Sequence, residues 1–376
     1  MNSRERVLSA LANHPVDRPA VDFCGHNDST IHEIAYQRLR NYFGLPYYEP
    51  TIANLVECVV YAAEDILTRF QVDTRALHLT IKPQIPEKME DGSLVVTLTD
   101  GSRWLKPSGG FYYCLYESPL NDMLNTQSIA AIPNPKIPRE DLIALRHRAK
   151  ELKTQTDYAV VLSGFLIMPV TGTQIWRGFE KWSIDIIENL KPWQEMTTVY
   201  MERTLAQAGD ILDAVGDLID VAYIIGDDLA TQRGPWLNPS FYRKYIKPWH
   251  KIAMDFIRTK TDAKIIFHMC GAAHDFISDL IDIGVDAINP VQTSAKGMDP
   301  VMLKREYGRD IAFWGGVDNQ HVLPFGTPAE VRTEVKHIKD ALGPSGLIIG
   351  SCHNIQPDVP PQNVEALFQA AVEVSK

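Results

Sequence analysis

The sequence predicts a single (β/α)8 barrel of the α/β class, with an antiparallel β-hairpin inserted in its N-terminal part. From about residue 140 onward, six short apolar segments alternate with amphipathic helical segments. Two further candidate strands, at residues 20–24 and 73–79, bring the number to eight, which suits a parallel barrel. No glycine-rich phosphate-binding motif follows the first strand, and this disfavours a doubly wound dinucleotide-binding sheet.

The N-terminal part is less regular than the rest of the chain. A helix with Ser3 as N-cap, a strand at 20–24 and a helix at 32–43 are predicted first. The segment Leu94–Thr99, the dipeptide Asp100-Gly101 and the segment Arg103–Leu105 have the pattern of a β-hairpin. A third strand is expected at 111–116, so we place an antiparallel insertion at about 86–117 and a proline-rich loop at 118–138.

The second part of the chain supplies the regular alternation of strands and helices. The expected strands are 158–163, 219–225, 263–267, 287–289, 311–314 and 347–349. The expected helices are 140–154, 174–216, 239–260, 273–283, 299–307, 328–342 and 361–374. Because no linker or repeat interrupts this order, residues 1–376 are expected to form one barrel domain.

Composition excludes several classes of function. The chain has 376 residues, 45% of them hydrophobic, and a formal net charge of −10, which disfavours nucleic-acid binding. No uninterrupted apolar run approaches the roughly 18 residues of a membrane span. The amphipathic, charged N-terminus does not resemble a signal peptide, so we expect a cytoplasmic protein. Five scattered cysteines suit core packing, metal binding or nucleophilic catalysis better than a disulfide scaffold.

Polar residues follow the ends of the predicted strands. Asp227 and Asp228, His268 and Cys270, Asn289 to Gln292, and Cys352 to Asn354 each come directly after an apolar segment. In a parallel barrel these positions meet at the C-terminal face of the strands, where active sites are built. We therefore expect the functional site on that face.

Three of these residues form a candidate metal site. His268 and Cys270 are two positions apart on an extended strand end, so both side chains point to the same side. Cys352 arrives from a strand much later in the chain and completes three ligands. Three protein ligands with an open position are typical of catalytic sites, whereas structural zinc sites usually have four ligands. The spacing alone also allows a chance His-x-Cys pair and a cysteine that merely fills the core.

The same segments carry a family resemblance. The stretches GDDLATQRGP (226–235), FHMCG (267–271), NPVQ (289–292), GGVDNQ (315–320) and SCHNIQPDVPPQN (351–363) resemble the uroporphyrinogen decarboxylase superfamily. More narrowly, they resemble its zinc-dependent, corrinoid-linked methyltransferase branch. The resemblance implies a (β/α)8 barrel, a zinc ion on His268, Cys270 and Cys352, and a corrinoid (cobalamin) carried by a partner protein.

The resemblance to the true decarboxylases fails at one motif. Those enzymes have an arginine-rich RQAGR-type segment near the first strand, whereas this chain has Cys24-Gly25-His26-Asn27-Asp28 there. A tetracarboxylate porphyrinogen requires cationic side chains to bind it. Uroporphyrinogen decarboxylation is therefore the least favoured activity within the superfamily.

Two methyl-transfer reactions remain. One moves a methyl group from a small methylated donor, such as a methoxylated aromatic, to the cob(I)alamin of a corrinoid protein; the other is a methylcobamide:thiol methyltransferase. Aromatic residues near the predicted barrel mouth, including Trp176 and Tyr223, favour the first, an O-demethylase component. Most such aromatics could equally belong to the core.

Individual roles at the site follow from this hypothesis. Asp227, Asp228 and His353 are the candidate catalytic acids, although each could instead orient a metal ligand, and Asp228 could be a fourth ligand. The candidate substrate-binding residues are His26, Trp176, Tyr223, Gln292 and Asn354. The sequence leaves the methyl donor and the oligomeric state open, a homodimer included.

Overall fold

The computed structural model describes residues 1–81 and 84–373. An eight-stranded parallel sheet organises them. Its strands, which we number along the chain, are β1 Ala20–Val21, β2 Thr74–His78, β3 Ala159–Ser163, β4 Val221–Gly226, β5 Lys264–His268, β6 Ala287–Asn289, β7 Ala312–Trp314 and β8 Leu347–Ile349. The sheet runs in the order β1-β8-β7-β6-β5-β4-β3-β2, so the strand order is that of a barrel.

The barrel is nearly closed between β1 and β2. The backbone N–H of Asp73 donates to the carbonyl of Val21 at 2.9 Å, and Val21 N–H donates to the Asp73 carboxylate at 2.8 Å. Beyond these bonds, no regular ladder pairs β1 with β2 in the described chain. We call this line, where the two edge strands face each other, the seam.

Apolar layers pack against both faces of the sheet, because successive side chains of a strand point alternately into the barrel and out toward the helices. The barrel interior is filled by side chains that include Val161, Tyr223, Ile266, Trp314 and Ile348. The first helix contributes Val7 and Leu11 to this interior cluster. A larger apolar layer lies between the sheet and the surrounding helices.

The described helices are Ser3–Leu11, Glu33–Tyr42, Glu64–Arg69, Thr126–Ala131, Arg139–Gln155, Thr171–Arg177, Phe179–Glu188, Leu190–Val215, Pro239–Phe241, Lys247–Arg258, His274–Ile283, Pro300–Tyr307, Val322–Phe325, Pro328–Leu342 and Pro361–Val372. A 3-10 turn at Asn27–Ser29 and a π-helical turn at Tyr242–Ile246 complete the set. Over residues 1–81 and 84–373, no helix combines the length and apolar character that crossing a membrane demands.

Two small antiparallel sheets interrupt the alternation in the N-terminal part. Strands Ile31–His32, Thr51–Asn54 and Val59–Tyr61 form one of them. Strands Glu87–Lys88, Leu94–Thr97, Arg103–Lys106 and Cys114–Glu117 form the other, a four-stranded sheet. The predicted hairpin is the centre of this second sheet. The first sheet has no counterpart in the sequence prediction, because its strands are short and their pattern is weak.

The predicted fold class is confirmed. Strands 287–289 and 347–349 have the predicted bounds, and the other barrel strands agree within a few residues. The helices expected around 174–216 are three in number, because the chain turns at Gly178, where φ is +82°, and again at Asn189. The proline-rich segment 118–138 contains the helix Thr126–Ala131, and the predicted end of the last helix at 374 lies outside the described residues.

Candidate metal centre and active site

The end of β5 positions the first two predicted metal ligands. His268 is the last residue of β5, and its Nε2 lies 3.4 Å from the Sγ of Cys270. Both side chains therefore point to the same side, as their spacing predicted. Gly226, at the end of the adjacent strand β4, allows β4 to pack closely against His268. A Cβ at this position would lie 2.9 Å from both the Cβ and the carbonyl oxygen of His268.

A third ligand-type side chain comes from the loop after β8. One ligand atom each of His268, Cys270 and His353 lies within 4.8 Å of the others. One imidazole and one thiolate with a further N or S ligand form a donor set that fits zinc. The predicted ligand Cys352 is buried and precedes His353 in the chain; burial is the main cause that raises the pKa of the Cys270 thiol, and the charge of Cys352 adds to it. Among the described residues, however, the tight group contains His353 and not Cys352.

Hydrogen bonds to the two histidines give them different roles. Nδ1 of His268 lies 2.9 Å from Oδ1 of Asn289, an acceptor that places the proton on Nδ1 and leaves the Nε2 lone pair for a metal. In His353 the pattern is reversed, since Nδ1 accepts the backbone N–H of Asn354 at 2.8 Å. Neutral His353 thus carries its proton on Nε2, which makes that atom a donor rather than a ligand.

The Asp28 carboxylate lies between both histidines. Its Oδ1 is 3.6 Å from Nε2 of His353, its Oδ2 is 3.8 Å from Nδ1 of His268, and the Tyr223 hydroxyl donates to Oδ2. Burial alone would raise the pKa of Asp28, but the two histidines and Tyr223 outweigh it and lower that pKa. Asp28 therefore supplies a buried negative charge next to the metal-ligand group.

A second carboxyl group, Glu57, lies close to Asp28. The side-chain amide of Asn354 donates to Oε2 of Glu57 at 3.0 Å, while Oδ1 of Asn354 accepts the N–H and hydroxyl of Thr30 at 3.1 and 2.9 Å. Burial and the charge of Asp28 raise the pKa of Glu57 to about 8. Asn354, predicted to bind substrate, thus holds the Glu57 carboxyl group in place.

The two adjacent aspartates after β4 differ in environment. Asp228 lies near the metal ligands: its Oδ1 accepts the N–H of Cys270 at 2.8 Å and is 3.8 Å from Nε2 of His268. The side chain of Asp228 is 48% exposed, whereas that of Asp227 is fully buried.

Asp227 points into the protein, and its prediction as a catalytic acid requires correction. Its carboxylate accepts the backbone N–H groups of Val170 and Thr171 and lies 3.1 Å from Nε2 of buried His250. These bonds use the orphan donors at the start of helix Thr171–Arg177. Asp227 is therefore a buried positioning residue: these bonds occupy its carboxylate, and its backbone N–H donates to the carbonyl of His268 at 2.9 Å.

Two predicted substrate-binding residues belong to the wall of the site. Tyr223 is fully buried, stacks on His26 with ring centroids 4.1 Å apart, and presents its edge to His268. His26 is also fully buried, against Trp314, and neither of its ring nitrogens has a hydrogen-bond partner within the described chain. Burial lowers the pKa of His26 to about 4, so the ring is neutral and does not line an open mouth as predicted.

The other predicted aromatic residues pack mainly in the core. Trp176 is 5% exposed and lies edge-on to Tyr200 of the long helix Leu190–Val215, away from the metal ligands. A substrate-binding role for Trp176 is therefore not supported, because its ring is enclosed by helices. Gln292, in contrast, is close to the site: its Oε1 accepts the N–H of Gly271 at 2.6 Å and fixes the loop that carries Cys270.

An apolar cavity adjoins the site on the side of the insertion. Its volume is about 420 Å³, and its lining includes Asn27, Val56, Leu98, Phe165 and Met168. Asn27 and Val56 are the immediate chain neighbours of Asp28 and Glu57. Within the described residues, no lysine or arginine lines this cavity. Most of the lining side chains are apolar, which suits a small apolar molecule.

Sequence reasoning did not assign a role to Asp28 or Glu57. Asp28 follows the first barrel strand, so the strand-end rule that found the other residues also applies to it. Glu57 comes from the loop between two strands of the small three-stranded sheet, which the sequence did not predict. No local motif marks it, and only the folded chain brings it to Asn354.

Part of the chain that includes the proposed metal ligands matches a known protein family. Residues 118–374 match the family model described as uroporphyrinogen decarboxylase (URO-D), which is more than half of the chain. The chain belongs to the uroporphyrinogen decarboxylase family. The family resemblance noted in the sequence is thus confirmed.

Individual relatives are distant members of that family. The uroporphyrinogen decarboxylase of Pelodictyon phaeoclathratiforme is 26% identical over 187 residues, which cover 46% of this chain and 51% of the relative. That of Chlorobium phaeobacteroides is 26% identical over 143 residues, covering 37% of this chain and 39% of the relative. The chain thus spans about half the length, or less, of the curated relatives it matches.

A solved structure supports the fold along the whole chain. A methyltransferase from Methanosarcina mazei superposes with a TM-score of 0.64 and covers 99% of this chain and 98% of its own. Their sequences are 18% identical, so this likeness concerns the fold.

Proposed function

We propose that this chain is a zinc-dependent methyltransferase that moves a methyl group from a small methoxylated aromatic donor to the cob(I)alamin of a partner corrinoid protein. The observation that carries the proposal is the pair His268 and Cys270 at the C-terminal face of the barrel, with Cys352 and His353 beside it. The adjoining apolar cavity suits an aryl ether, and its lack of cationic side chains in the described chain does not suit a tetracarboxylate porphyrinogen.

The ligand set proposed for zinc is His268, Cys270 and Cys352. His353 donates a proton from Nε2 in its present hydrogen-bonding pattern, which favours Cys352 as the third ligand once its thiol turns toward Cys270. A zinc ion bound there would supply Lewis-acid polarisation of the ether oxygen. Asn289 holds the His268 ring, and Asp228 holds the backbone of Cys270, so both groups fix the ligands before substrate arrives.

The residues of the chain also provide for the leaving group. When the methyl–oxygen bond breaks, the aryl oxygen keeps the electron pair and becomes a phenolate that must be stabilised or protonated. Protonated Glu57 is held by Asn354, and His353 is held by the backbone and faces Asp28. We assign Glu57 as the acid that protonates the phenolate. Together with burial, the negative charge of the Asp28 carboxylate, which accepts from Tyr223 and faces His353, keeps Glu57 protonated.

The remaining attributes follow from this function. The partner is a corrinoid protein that docks at the open C-terminal face of the barrel, and the chain itself uses neither nucleic acid nor membrane. The cytoplasm is the proposed compartment, since all five cysteines are free thiols and a reducing environment keeps the metal ligands available.

The direct test is a reconstituted assay with the pure chain, zinc, free cob(I)alamin and a panel of methoxybenzenes. We expect methylcobalamin and the corresponding phenol to form in equal amounts. The variant Cys270→Ser should lose both zinc and turnover, whereas Cys114→Ser, an exposed thiol in the insertion, should retain both. Methylation of a thiol from methylcobalamin without demethylation of any donor would assign the chain to the thiol-directed reaction instead.

A further inference from the structure

A second cavity lies at the seam, where β1 and β2 are not paired by a regular ladder. It has a volume of about 240 Å³ and lies behind the strand ends, between the small three-stranded sheet and helix Arg139–Gln155. The lining residues used below are Tyr61, Glu64, Arg75, His78 and Arg148. None of these is a proposed metal ligand, so the cavity is separate from the metal centre.

Arg148 brings an unpaired positive charge to this cavity. It is exposed on helix Arg139–Gln155, and in the described chain its guanidinium makes neither a hydrogen bond nor an ion pair. Arg148, His78 and Tyr61 line the same cavity. Burial, followed by the Arg148 charge, lowers the pKa of His78, whereas burial raises the pKa of Tyr61 and the Arg148 charge opposes that rise.

His78 brings an unpaired acceptor. The residue is 4% exposed, its ring stacks on Tyr61 with centroids 4.3 Å apart, and its Nδ1 lies 3.1 Å from the carbonyl oxygen of Leu79. A carbonyl can only accept, so Nδ1 carries the proton and Nε2 has the lone pair. Within residues 1–81 and 84–373 no hydrogen-bond partner is found for Nε2, and His78 lines the cavity, so this acceptor is open to a ligand there.

The other charges of the lining cancel. Glu64 and Arg75 form a bidentate pair at 2.8 and 2.5 Å, and Arg75 also stacks on Tyr158 at 3.5 Å from the ring centroid. Burial, and the nearby Arg148 charge, lower the pKa of His78 to about 4, so this ring is neutral at neutral pH. The cavity therefore offers one net positive charge from Arg148 and one hydrogen-bond acceptor from His78.

We propose that the seam cavity binds a small oxyanion that also carries a hydroxyl hydrogen. Arg148 pairs with the anionic oxygens, and the hydroxyl donates to Nε2 of His78. A hydrogen phosphate and a hydroxyaryl carboxylate both have this combination of groups, whereas sulfate and simple benzoate have the charge without the hydroxyl. The lone pair of Nε2 distinguishes anions with a hydroxyl hydrogen from anions without one. It accepts a hydrogen bond from the first kind, whereas it repels the oxygen atoms of the second.

The cavity also communicates with the metal centre through a short chain of contacts. The Tyr61 hydroxyl is 3.5 Å from Oγ of Ser163, and Ser163 accepts the N–H of Asn27 at 2.8 Å. Asn27 precedes Asp28 in the 3-10 turn Asn27–Ser29. Tyr61, which lines the seam cavity, is thus linked through Ser163 to the turn that holds Asp28.

The test is titration calorimetry at pH 7.5 on the full chain, as purified and again after chelation of metal. The probes are inorganic phosphate, sulfate, 4-hydroxybenzoate and benzoate. We expect phosphate to bind at least about tenfold more tightly than sulfate, in both metal states, because only phosphate satisfies His78. If only 4-hydroxybenzoate exceeds its partner benzoate, the ligand is an organic acid; equal affinities within both pairs would overturn the proposal.

Two variants and a matched control make the assignment specific. Arg148→Met should weaken phosphate about tenfold or more, while Lys150→Met, which removes a charge from the same helix outside the cavity, should leave it unchanged. His78→Phe keeps the ring on Tyr61 and should reduce phosphate to the affinity of sulfate. Unchanged phosphate affinity in Arg148→Met would contradict the site, whatever the outcome of the zinc assays.

Discussion

Cys352 and His353 are adjacent in sequence, and a three-ligand zinc site needs only one of them beside His268 and Cys270. The hydrogen bond from Asn354 N–H to Nδ1 of His353 fixes the tautomer that makes Nε2 a donor. The neighbouring thiol of Cys352 is buried, and burial raises its pKa. A metal must therefore displace its proton, which is the usual cost of thiolate ligation.

The choice between these neighbours is testable by metal content. We expect Cys352→Ser to bind well below one zinc per chain, because the third ligand is lost. His353→Ala should retain close to one zinc and lose turnover about 100-fold if it helps balance charge at the leaving group. Plasma emission spectrometry of the purified variants measures the metal. If His353→Ala loses zinc and Cys352→Ser retains it, His353 is the third ligand.

Glu57 is the residue that the fold adds to the predicted set. If its protonated form supplies the proton, Glu57→Gln should lower kcat by about 100-fold with a smaller change in KM. Because burial raises the pKa of Glu57 to about 8, the rate of the parent protein should fall above about pH 8 as the acid ionises. That alkaline limb should be absent from the residual activity of Glu57→Gln.

The matched control for this change is Glu90→Gln, an exposed glutamate in the insertion. It should have the kcat and the pH profile of the parent. A Glu57→Gln variant that keeps the same alkaline limb would show that another group titrates there.

At the scale of elements, Asp227 and Asp228 connect the end of β4 to different parts of the barrel: Asp227 to two helices, and Asp228 to the loop that carries Cys270. Asp227 joins the end of β4 to the start of helix Thr171–Arg177 and to His250 of helix Lys247–Arg258. Removing it leaves buried donors unpaired, so Asp227→Ala should cost about 2–4 kcal/mol of unfolding free energy. Zinc content of the folded protein should stay near that of the parent.

Asp228→Ala provides the matched comparison, since it removes the same group one position later. It should leave the unfolding free energy within about 0.5 kcal/mol, because the side chain is half-exposed, and lower zinc affinity by about 10- to 100-fold. Urea titration and zinc competition with a chelator measure the two effects. Equal losses of stability in both variants would refute the distinction.

The same scale shows what the sequence could predict. The barrel strands were predictable because each is a short apolar segment followed by turn residues, and because these segments alternate regularly with amphipathic helical segments. His268 and Cys270 were predictable because two residues on one strand end share a side by local geometry alone. Glu57 was not, since its position depends on pairing between Thr51–Asn54 and Val59–Tyr61, short strands with little pattern. Asp227 was named because it follows a strand end, and Trp176 because it is an aromatic residue near the predicted barrel mouth. Neither position along the chain reveals where the side chain points.

For the whole molecule, the barrel interior near the site contains a neutral histidine with no hydrogen-bond partner among the described residues. His26 lies between Tyr223 and Trp314, and burial lowers its pKa to about 4, compared with 6.5 for the free side chain. Unfolding lets this ring take up a proton at any pH between these values. The unfolded state then binds more protons than the folded state, so stability rises with pH across that window.

The expected contribution of His26 is large enough to measure. One pKa unit corresponds to about 1.4 kcal/mol, so His26 contributes up to about 3 kcal/mol that is present above pH 6.5 and lost as the pH falls to 4. Glu57 acts in the opposite direction, since its raised pKa favours the folded state at low pH. The pH dependence of the unfolding free energy of the parent therefore combines both groups, and the contribution of His26 is measured by comparing the parent with a variant that lacks this histidine.

His26→Phe isolates the histidine, because phenylalanine keeps a ring against Tyr223 but cannot titrate. Between pH 7 and pH 5 we expect the parent to lose about 2 kcal/mol more unfolding free energy than this variant, as measured by urea titration at each pH. His147→Phe, at an exposed site on helix Arg139–Gln155, should behave as the parent. If His26→Phe loses as much stability as the parent over this range, His26 is protonated in the folded state and the interior is more polar than its burial implies.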